Sequence, residues 1–151
     1  MTASLSLRLT EIFHSLQGEA RSVGRPTVFI RLTGCPLRCT YCDTAYAFEG
    51  GQQFTLDSIL EQVADYGAQY VCVTGGEPLA QGNVRELMRR LCDAGYQVSL
   101  ETSGAMDICD IDPRVSVVLD LKTPASGECD RNRLANLPLL KPLDQVKFVI
   151  C

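Results

Sequence analysis

The sequence lacks the long apolar runs and basic segments that are typical of membrane, secreted or nucleic-acid-binding proteins. No stretch approaches the roughly 20 consecutive apolar residues that a membrane-spanning helix needs. Residues 1–5 contain neither a basic region nor a long apolar block, which argues against a signal peptide. The formal net charge is −4, so the chain has no basic footprint for nucleic acid. We therefore expect a cytoplasmic protein that binds neither membranes nor nucleic acid.

Histidine is nearly absent, whereas cysteine is abundant. His14 is the only histidine, and the chain contains eight cysteines. In an unsecreted protein, such thiols are better interpreted as metal ligands or buried residues than as disulfides. Cys72, Cys92 and Cys109 lie in or near apolar segments, which predicts small core residues. Cys129 follows a polar turn, and the sequence indicates no partner for it.

The order of apolar patterns predicts an α/β fold in a single domain spanning residues 1–151. Thr55 is a good N-cap for a helix that ends at Gly67, and Asn83, with Glu86 three residues later, predicts a second capped helix. The predicted strands cover residues 5–16, 27–33, 71–73, 96–100, 115–119 and 146–150. Strands that alternate with helices imply a parallel sheet with right-handed crossovers, although helical periodicity is weak over residues 105–111.

Polar segments follow the predicted strands at the points where the strands end. They are the cysteine-containing loop 34–44, Thr74-Gly75-Gly76-Glu77, Glu101-Thr102-Ser103-Gly104 and Asp120-Leu121-Lys122. In open α/β sheets, ligands bind at the carboxyl ends of the strands. We therefore expect these segments to meet at one edge of the sheet and to form the site.

Cys35, Cys39 and Cys42 form a C-x3-C-x2-C pattern within one loop. Three thiolates this close can hold one metal centre and leave a coordination position open. A structural zinc site needs a fourth protein ligand, which an isolated cysteine such as Cys129 could supply, so a zinc-stabilised interaction module stays an alternative. A 4Fe-4S cluster held by three cysteines instead keeps one iron free for an outside ligand.

This pattern, with Tyr41 just before the third cysteine, resembles the signature of radical S-adenosylmethionine (SAM) enzymes, and Gly75-Gly76-Glu77-Pro78 resembles their second motif. The resemblance implies a partial, incomplete parallel β/α barrel with few crossover helices. It also implies that the open iron binds the amino and carboxylate groups of SAM. Reductive cleavage of SAM then gives a 5′-deoxyadenosyl radical that abstracts a hydrogen atom from the substrate, while the protein binds, orients and shields the reactants.

Residues 11–19, 29–35 and 42–47 narrow the resemblance to the 7-carboxy-7-deazaguanine synthase family. That family implies a magnesium-dependent lyase that contracts the ring of 6-carboxy-5,6,7,8-tetrahydropterin and releases ammonia, in the biosynthesis of queuosine or another deazapurine. It further implies a homodimer, with flavodoxin or ferredoxin as the electron donor. A glycyl-radical-enzyme activase, which shares the cluster motif, is the rival within the superfamily.

The resemblance also assigns residues to ligands. Arg31 is expected to meet the substrate carboxylate with its rigid fork of donors, and Gln17 to bind the pterin. Roles for His14, Glu101 and Cys129 stay open. The cluster is assigned to Cys35, Cys39 and Cys42; magnesium to Thr44; substrate to Leu16, Gln17, Gly18, Arg31 and Thr74; and SAM to Tyr41, Cys42, Asp43, Gly76, Asp120, Leu121 and Lys122.

Three features depart from the family pattern. Ala20 stands where the family usually has glycine, and Asp120-Leu121-Lys122 replaces a Ser-Pro-Lys segment, which makes Lys122 the best match of the three. Family chains also continue beyond the strand near Lys147. We therefore expect the family's C-terminal part to be missing from this sequence or replaced by a partner subunit.

Overall fold

The computed structural model describes residues 4–150, which form an open seven-stranded sheet with two α-helices. Residues 78–80, 124–126, 129–131 and 134–139 form short 3-10 turns in the connections. The elements are β1 (Ser6–Leu16), β2 (Pro26–Leu32), β3 (Gln52–Thr55), α1 (Leu56–Asp65), β4 (Tyr70–Gly75), α2 (Val84–Asp93), β5 (Gln97–Thr102), β6 (Ser116–Asp120) and β7 (Gln145–Lys147).

The strand order is β3-β1-β2-β4-β5-β6-β7, and the sheet is only partly parallel. The strands from β2 through β4, β5, β6 and β7 pair in parallel, as predicted. β1 pairs antiparallel with both β2 and β3, so the prediction of a wholly parallel sheet was wrong at this edge. The loop 17–25 is too short for a crossover and therefore makes a hairpin of β1 and β2. β3 was not predicted, since its residues Gln52 and Gln53 carry no apolar alternation.

One face of the sheet carries the core, and the other face carries the site. In β2, Val28, Ile30 and Leu32 are fully buried beneath the helices, and the intervening side chains Phe29 and Arg31 point to the opposite face. Both predicted helices form, and the Thr55 side chain caps α1 by accepting a hydrogen bond from Ser58 N. No helix within residues 4–150 is long and apolar enough to cross a membrane.

The capping box predicted for α2 does not form. The Asn83 side chain makes no capping hydrogen bond and instead donates from Nδ2 to the Ser6 carbonyl at 3.0 Å, which ties α2 to β1. The Glu86 carboxylate is occupied by Arg89 and Arg90, with Nε–oxygen distances of 2.9 and 2.8 Å. A tertiary partner for Asn83 and intrahelical ion pairs for Glu86 have displaced the capping interaction that the sequence indicated.

The crossovers after β5 contain no α-helix, as the weak periodicity predicted. In the connection between β6 and β7, the buried side chain of Asn136 supports the core in place of a crossover helix. It is fully buried, donates from Nδ2 to Met106 O at 2.8 Å and accepts from Ile108 N at 3.3 Å. These bonds hold the turn 134–139 against the connection between β5 and β6.

The isolated cysteines have different environments. Cys72 is fully buried on the site-facing side of β4, where burial raises the pKa of its thiol to about 12. Cys92 is half-buried against the core. Cys109 is exposed, so the prediction of a core residue was wrong there. Among the described residues, the segment between β5 and β6 contains no helix that could cover the Cys109 thiol. An apolar run close by in the sequence is therefore not sufficient to predict a buried cysteine.

Residues 17–25 cross the site-facing side of the sheet from β1 to the far edge strand, and we call them the strap. Arg21 N donates to Gln145 Oε1 of β7 at 2.8 Å, and Lys147 Nζ lies 2.6 Å from Glu19 Oε2. Within the strap, Gly24 N donates to the Gln17 carbonyl at 2.7 Å. Ala20 has a φ of 60°, the left-handed conformation that favours glycine.

We expect the substitution Ala20→Gly to raise the free energy of unfolding by about 0.5–1 kcal/mol, because it removes the steric cost of a left-handed alanine. Chemical denaturation of the two proteins measures the difference. Ala94→Gly is the matched control, since Ala94 has a φ of −77° and loses only backbone entropy to glycine. A loss of stability in both variants would show that Ala20 is not strained.

Candidate active site

A cavity of about 550 Å³ opens at the carboxyl ends of the parallel strands, as the topology predicted. Parallel register brings Arg31 of β2 beside Thr74 of β4, and Glu101 of β5 beside Val118 of β6. Of the residues predicted for the site, those lining this cavity are Gln17, Gly18, Arg31, Cys35, Cys39, Tyr41, Cys42, Asp43, Thr44, Thr74, Gly76, Asp120 and Lys122.

The cysteine loop is anchored at its start by two glycines. Gly34 has a φ of 98°, which glycine adopts without strain, and its N–H donates to Ala47 O while its carbonyl accepts from Glu77 N, each at 2.8 Å. Gly76 passes so close that a Cβ there would overlap the Gly34 carbonyl and lie 3.3 Å from Cys35 Cβ. The two motifs are therefore packed directly against each other.

The rest of the loop is fixed by the connection that follows β6. Thr40 donates from its N–H to Ser126 O at 2.9 Å and from its hydroxyl to Ala125 O at 2.7 Å. Arg38 N donates to Glu128 Oε1 at 2.6 Å, and the Arg38 guanidinium lies 4.2 Å from the centre of the Phe48 ring. Contacts on both sides thus hold the loop that carries the three thiols.

All three thiols of the loop are free, partly buried and directed to the same cavity. Burial raises the pKa of Cys35 and Cys39, and the Lys122 ammonium partly opposes this at Cys39. Within residues 4–150, no group of three histidine, cysteine or carboxylate side chains converges on a position for a single metal ion. A cubane cluster spreads its cysteine-bound irons over separate corners, so the donor set suits a cluster better than the zinc ion of the alternative prediction.

Glu77 is the structural centre of the second motif. Its carboxylate is fully buried and accepts from Leu79 N at 2.9 Å, Thr102 Oγ1 at 2.8 Å and Ser103 N at 2.7 Å. Because Glu77 N also holds Gly34, this one residue joins the ends of β4 and β5 to the cysteine loop. The buried charge is stabilised by three donors and supports the site from behind.

Arg31 lies inside the cavity, which resolves whether it faces solvent or a ligand. Its Nε donates to Glu11 Oε1 at 2.7 Å, and its side chain is 15% exposed. The guanidinium carbon lies 5.8 Å from the centres of the Phe13 and Tyr46 rings, and Tyr46 OH donates to the same Glu11 oxygen at 2.8 Å. Among the described residues, its two amino groups have no hydrogen-bond partner, so one edge of the fork is available for an anion.

Two buried polar atoms near the cysteines have no protein partner within residues 4–150. They are the Tyr41 hydroxyl and Asp120 Oδ1. The other oxygen of Asp120 lies 2.8 Å from Lys122 Nζ, which in turn lies 5.7 Å from the centre of the Tyr41 ring. Buried groups of this kind are costly unless a ligand satisfies them, so the arrangement suits a cofactor with hydroxyl and amino groups.

Thr44 and Asp43 place two oxygen donors at the mouth of the cavity. Thr44 Oγ1 donates to Asp43 Oδ1 at 2.6 Å, and Asp43 is exposed. Hard cations such as Mg²⁺ prefer oxygen ligands and keep several waters. The pair fits a magnesium ion whose remaining ligands come from substrate and water.

Glu101 lies in the cavity wall opposite the cysteine loop. Thr74 Oγ1 is 3.4 Å from Glu101 Oε2. Burial raises the pKa of Glu101, whereas the positive charges of Lys147 and Arg31 act to lower it. A carboxyl group whose pKa is raised in this way can accept a proton from a bound molecule and hold it.

Residues 29–122 match the radical SAM superfamily. The 7-carboxy-7-deazaguanine synthase of Koribacter versatilis is 45% identical over 95% of this chain and 65% of its own length. The relative from Thermoplasma acidophilum with the same name is 37% identical over 94% of this chain and 69% of its own. The chain belongs to the 7-carboxy-7-deazaguanine synthase family of radical SAM proteins.

The fold of the family is seen in the crystal structure of QueE from Escherichia coli. It matches 95% of this chain and 84% of that chain with a TM-score of 0.73, at 21% identity. This match confirms the partial barrel with few crossover helices. The chain spans 62–65% of the length of the first curated relatives it matches. Membership in the superfamily makes a 4Fe-4S cluster and SAM its cofactors.

Two residues that the family resemblance assigned to ligands do not line the cavity. Leu16 ends β1 and is 63% exposed, and Leu121 is buried in the core. Their ligand roles stay predictions. His14 is exposed on β1 with its ring 5.8 Å from that of Tyr66, and Cys129 is half-buried in a turn; neither lines the cavity.

The residues that the sequence failed to indicate are those that support Arg31 and Glu101. Glu11 and Tyr46 hold Arg31, and only the register of β1 against β2 brings Glu11 to it. The sequence predicts a strand over residues 146–150 that continues beyond Lys147, whereas β7 ends at Lys147. With the correct strand end, the rule that ligands lie at carboxyl ends would have selected it.

Proposed function

We propose that the protein converts 6-carboxy-5,6,7,8-tetrahydropterin to 7-carboxy-7-deazaguanine with release of ammonia. The observation that carries this proposal is the position of Arg31, whose available donor edge shares one cavity with the three thiols. An activase acting on a partner protein has no need for a buried carboxylate-binding arginine. The names of the curated relatives, 7-carboxy-7-deazaguanine synthase, support the same product.

The residues divide into a cofactor half and a substrate half. The cluster would be held by Cys35, Cys39 and Cys42. The polar groups that would hold SAM are the backbone of Gly76 and of residues 120–122 and the side chains of Tyr41, Asp43, Asp120 and Lys122. When bound, the two cofactors supply a carbon radical that takes a hydrogen atom from the substrate.

In the substrate half, Gln17, Gly18 and Thr74 would bind and orient the pterin. The fork of Arg31 would bind its carboxylate. Thr44, with Asp43, would hold a magnesium ion close to the same group and limit the build-up of negative charge there. Loss of ammonia and formation of an aromatic ring require the substrate to give up a proton, and Glu101 is the carboxylate in the wall that can accept it.

We propose further that residues 1–151 form a single radical SAM domain, since the strands of the described part of the chain form one sheet and its buried apolar side chains form one core. Family membership supports a cytoplasmic homodimer that is reduced by flavodoxin or ferredoxin and serves queuosine or related deazapurine synthesis. Sedimentation of the reconstituted protein tests the dimer.

The deciding experiment is anaerobic reconstitution of the cluster, followed by incubation with SAM, a reductant, magnesium and the carboxytetrahydropterin. Iron–sulfur absorption together with carboxydeazaguanine in the product mixture would support the proposal. A protein that cleaves SAM but leaves the pterin unchanged would indicate the activase reaction. A colourless protein with bound zinc would overturn both.

A further inference from the structure

We propose that Lys147 is a positioning residue for the substrate half of the site. On this inference, which rests on the proposed function, its ammonium holds the strap that presents Gln17 and Gly18 to the pterin and places a positive charge in the same cavity as the Glu101 carboxylate. The residue acts on the substrate through these neighbours.

The first part of the inference follows from the way the strap is fixed. The sheet does not close, and β7 is its edge at the far side of the cavity from β1. Lys147 Nζ reaches across the cavity to Glu19 Oε2 at 2.6 Å, and the neighbouring bond from Arg21 N to Gln145 Oε1 adds a second link. Gln17 and Gly18 precede Glu19 directly and line the cavity. The two bonds to β7 therefore support Gln17 and Gly18 in addition to the bonds within the strap, in which Gln17 N donates to Arg25 O and Gly24 N donates to Gln17 O.

The second part concerns the charges around Glu101. The groups that act on it come from four segments: Arg31 of β2, Thr74 and Cys72 of β4, Lys147 of β7 and Glu19 of the strap. Arg31, Thr74, Lys147 and Glu19 line the same cavity as Glu101. Burial raises the pKa of Glu101, Glu19 adds to that rise, and Lys147 is the first of the positive charges that oppose it. The Lys147 ammonium thus acts on two carboxylates: that of Glu19, which belongs to the strap, and that of Glu101, which lies in the cavity wall.

The ion pair is partly open to solvent, with Lys147 29% exposed and Glu19 51% exposed. Pairs exposed to this extent contribute little to folding stability. Replacement of Lys147 is therefore expected to leave the fold intact, and the positioning role can be measured in a folded protein.

The test compares Lys147→Met, which keeps the length of the side chain without the charge, with Lys147→Arg and with Lys141→Met. Lys141 is the matched control because its ion pair with Asp144 lies outside the reaction cavity. In Lys147→Met we expect amide hydrogen exchange of residues 17–25 to become about threefold to fivefold faster and KM for the pterin to rise by a similar factor, since a pair exposed to this extent contributes up to about 1 kcal/mol and each 1.4 kcal/mol is a factor of ten. Lys147→Arg should restore most of both values.

The pH profile separates positioning from simple loss of structure. Removing the ammonium raises the pKa of Glu101 further, so the ionised base is formed only at higher pH and the acidic limb of kcat/KM should move upward. Unchanged exchange in the strap, an unmoved acidic limb, or a Lys147→Arg variant as impaired as Lys147→Met would overturn the inference. If the wild-type protein fails to convert the pterin, the proposed function fails, and exchange in the strap alone decides whether Lys147 holds it.

Discussion

The variant Arg31→Ala should lose at least about 30-fold in kcat/KM for the pterin, because truncating one member of a hydrogen-bonded charge pair costs roughly 2–5 kcal/mol and each 1.36 kcal/mol is a factor of ten. The alanine removes the guanidinium donors that would bind the proposed substrate carboxylate and leaves the Glu11 carboxylate without its arginine partner at 2.7 Å. Cluster absorption and SAM binding should stay close to wild type, since the Arg31 side chain contacts Glu11, Phe13 and Tyr46 and none of the three cysteines. Anaerobic steady-state kinetics and SAM titration measure both halves of this prediction.

Two further variants are compared with Arg31→Ala: the conservative variant Arg31→Lys and the control Arg25→Ala. Lysine keeps the charge but cannot bond Glu11 and a carboxylate with one planar fork, so it should recover only part of the activity. Arg25 is an exposed arginine at the end of the strap and does not line the reaction cavity. Its alanine variant should behave like wild type. Loss of the cluster in Arg31→Ala would instead identify Arg31 as a folding residue.

The second large effect is expected from Gly76→Ala. The added Cβ would overlap the carbonyl oxygen of Gly34, which is backbone and has little room to move. Gly34 would have to shift and weaken its 2.8 Å bond from Glu77 N, and Cys35 would shift with it. Overpacking of this kind costs about 1–3 kcal/mol, so cluster occupancy after reconstitution should fall by roughly tenfold or more. Iron and sulfide analysis of the reconstituted protein measures the loss.

Gly82→Ala provides the control for that substitution. A Cβ at Gly82 would meet no atom within 4 Å, and the residue lies in the turn that follows the same motif. It should therefore reconstitute like wild type. Equal cluster occupancy in the two variants would contradict the close packing of the second motif against the cysteine loop.

Prediction from the sequence succeeded where the determining interactions are close together along the chain. The helix over Leu56–Asp65 follows from one cap and one apolar stripe, and the three cysteines lie within a single loop. Strand β3 was missed because an edge strand in contact with solvent needs no apolar pattern. The prediction of a capping box of Asn83 and Glu86 was wrong because Asn83 bonds to Ser6 of β1 and Glu86 pairs with Arg89 and Arg90 of its own helix.

The sequence by itself determined the chemistry of the chain. The cysteine spacing, the Gly75-Gly76-Glu77-Pro78 segment and the residues around Gln17 and Arg31 are local patterns, and together they predicted the cofactors, the family and most of the residues that line the cavity. A spacing of three or four residues fixes which groups can act together within one loop, whatever the remainder of the chain does.

Only the tertiary structure decided which residues support that chemistry. The partners Glu11 with Arg31 and Glu19 with Lys147 are separated by 20 and 128 positions in the chain. They meet because antiparallel pairing sets the register of β1 and because the strap crosses an open sheet to its far edge. Hydrogen-bond register and chain crossing are properties of the folded sheet, and no local pattern of residue types encodes them.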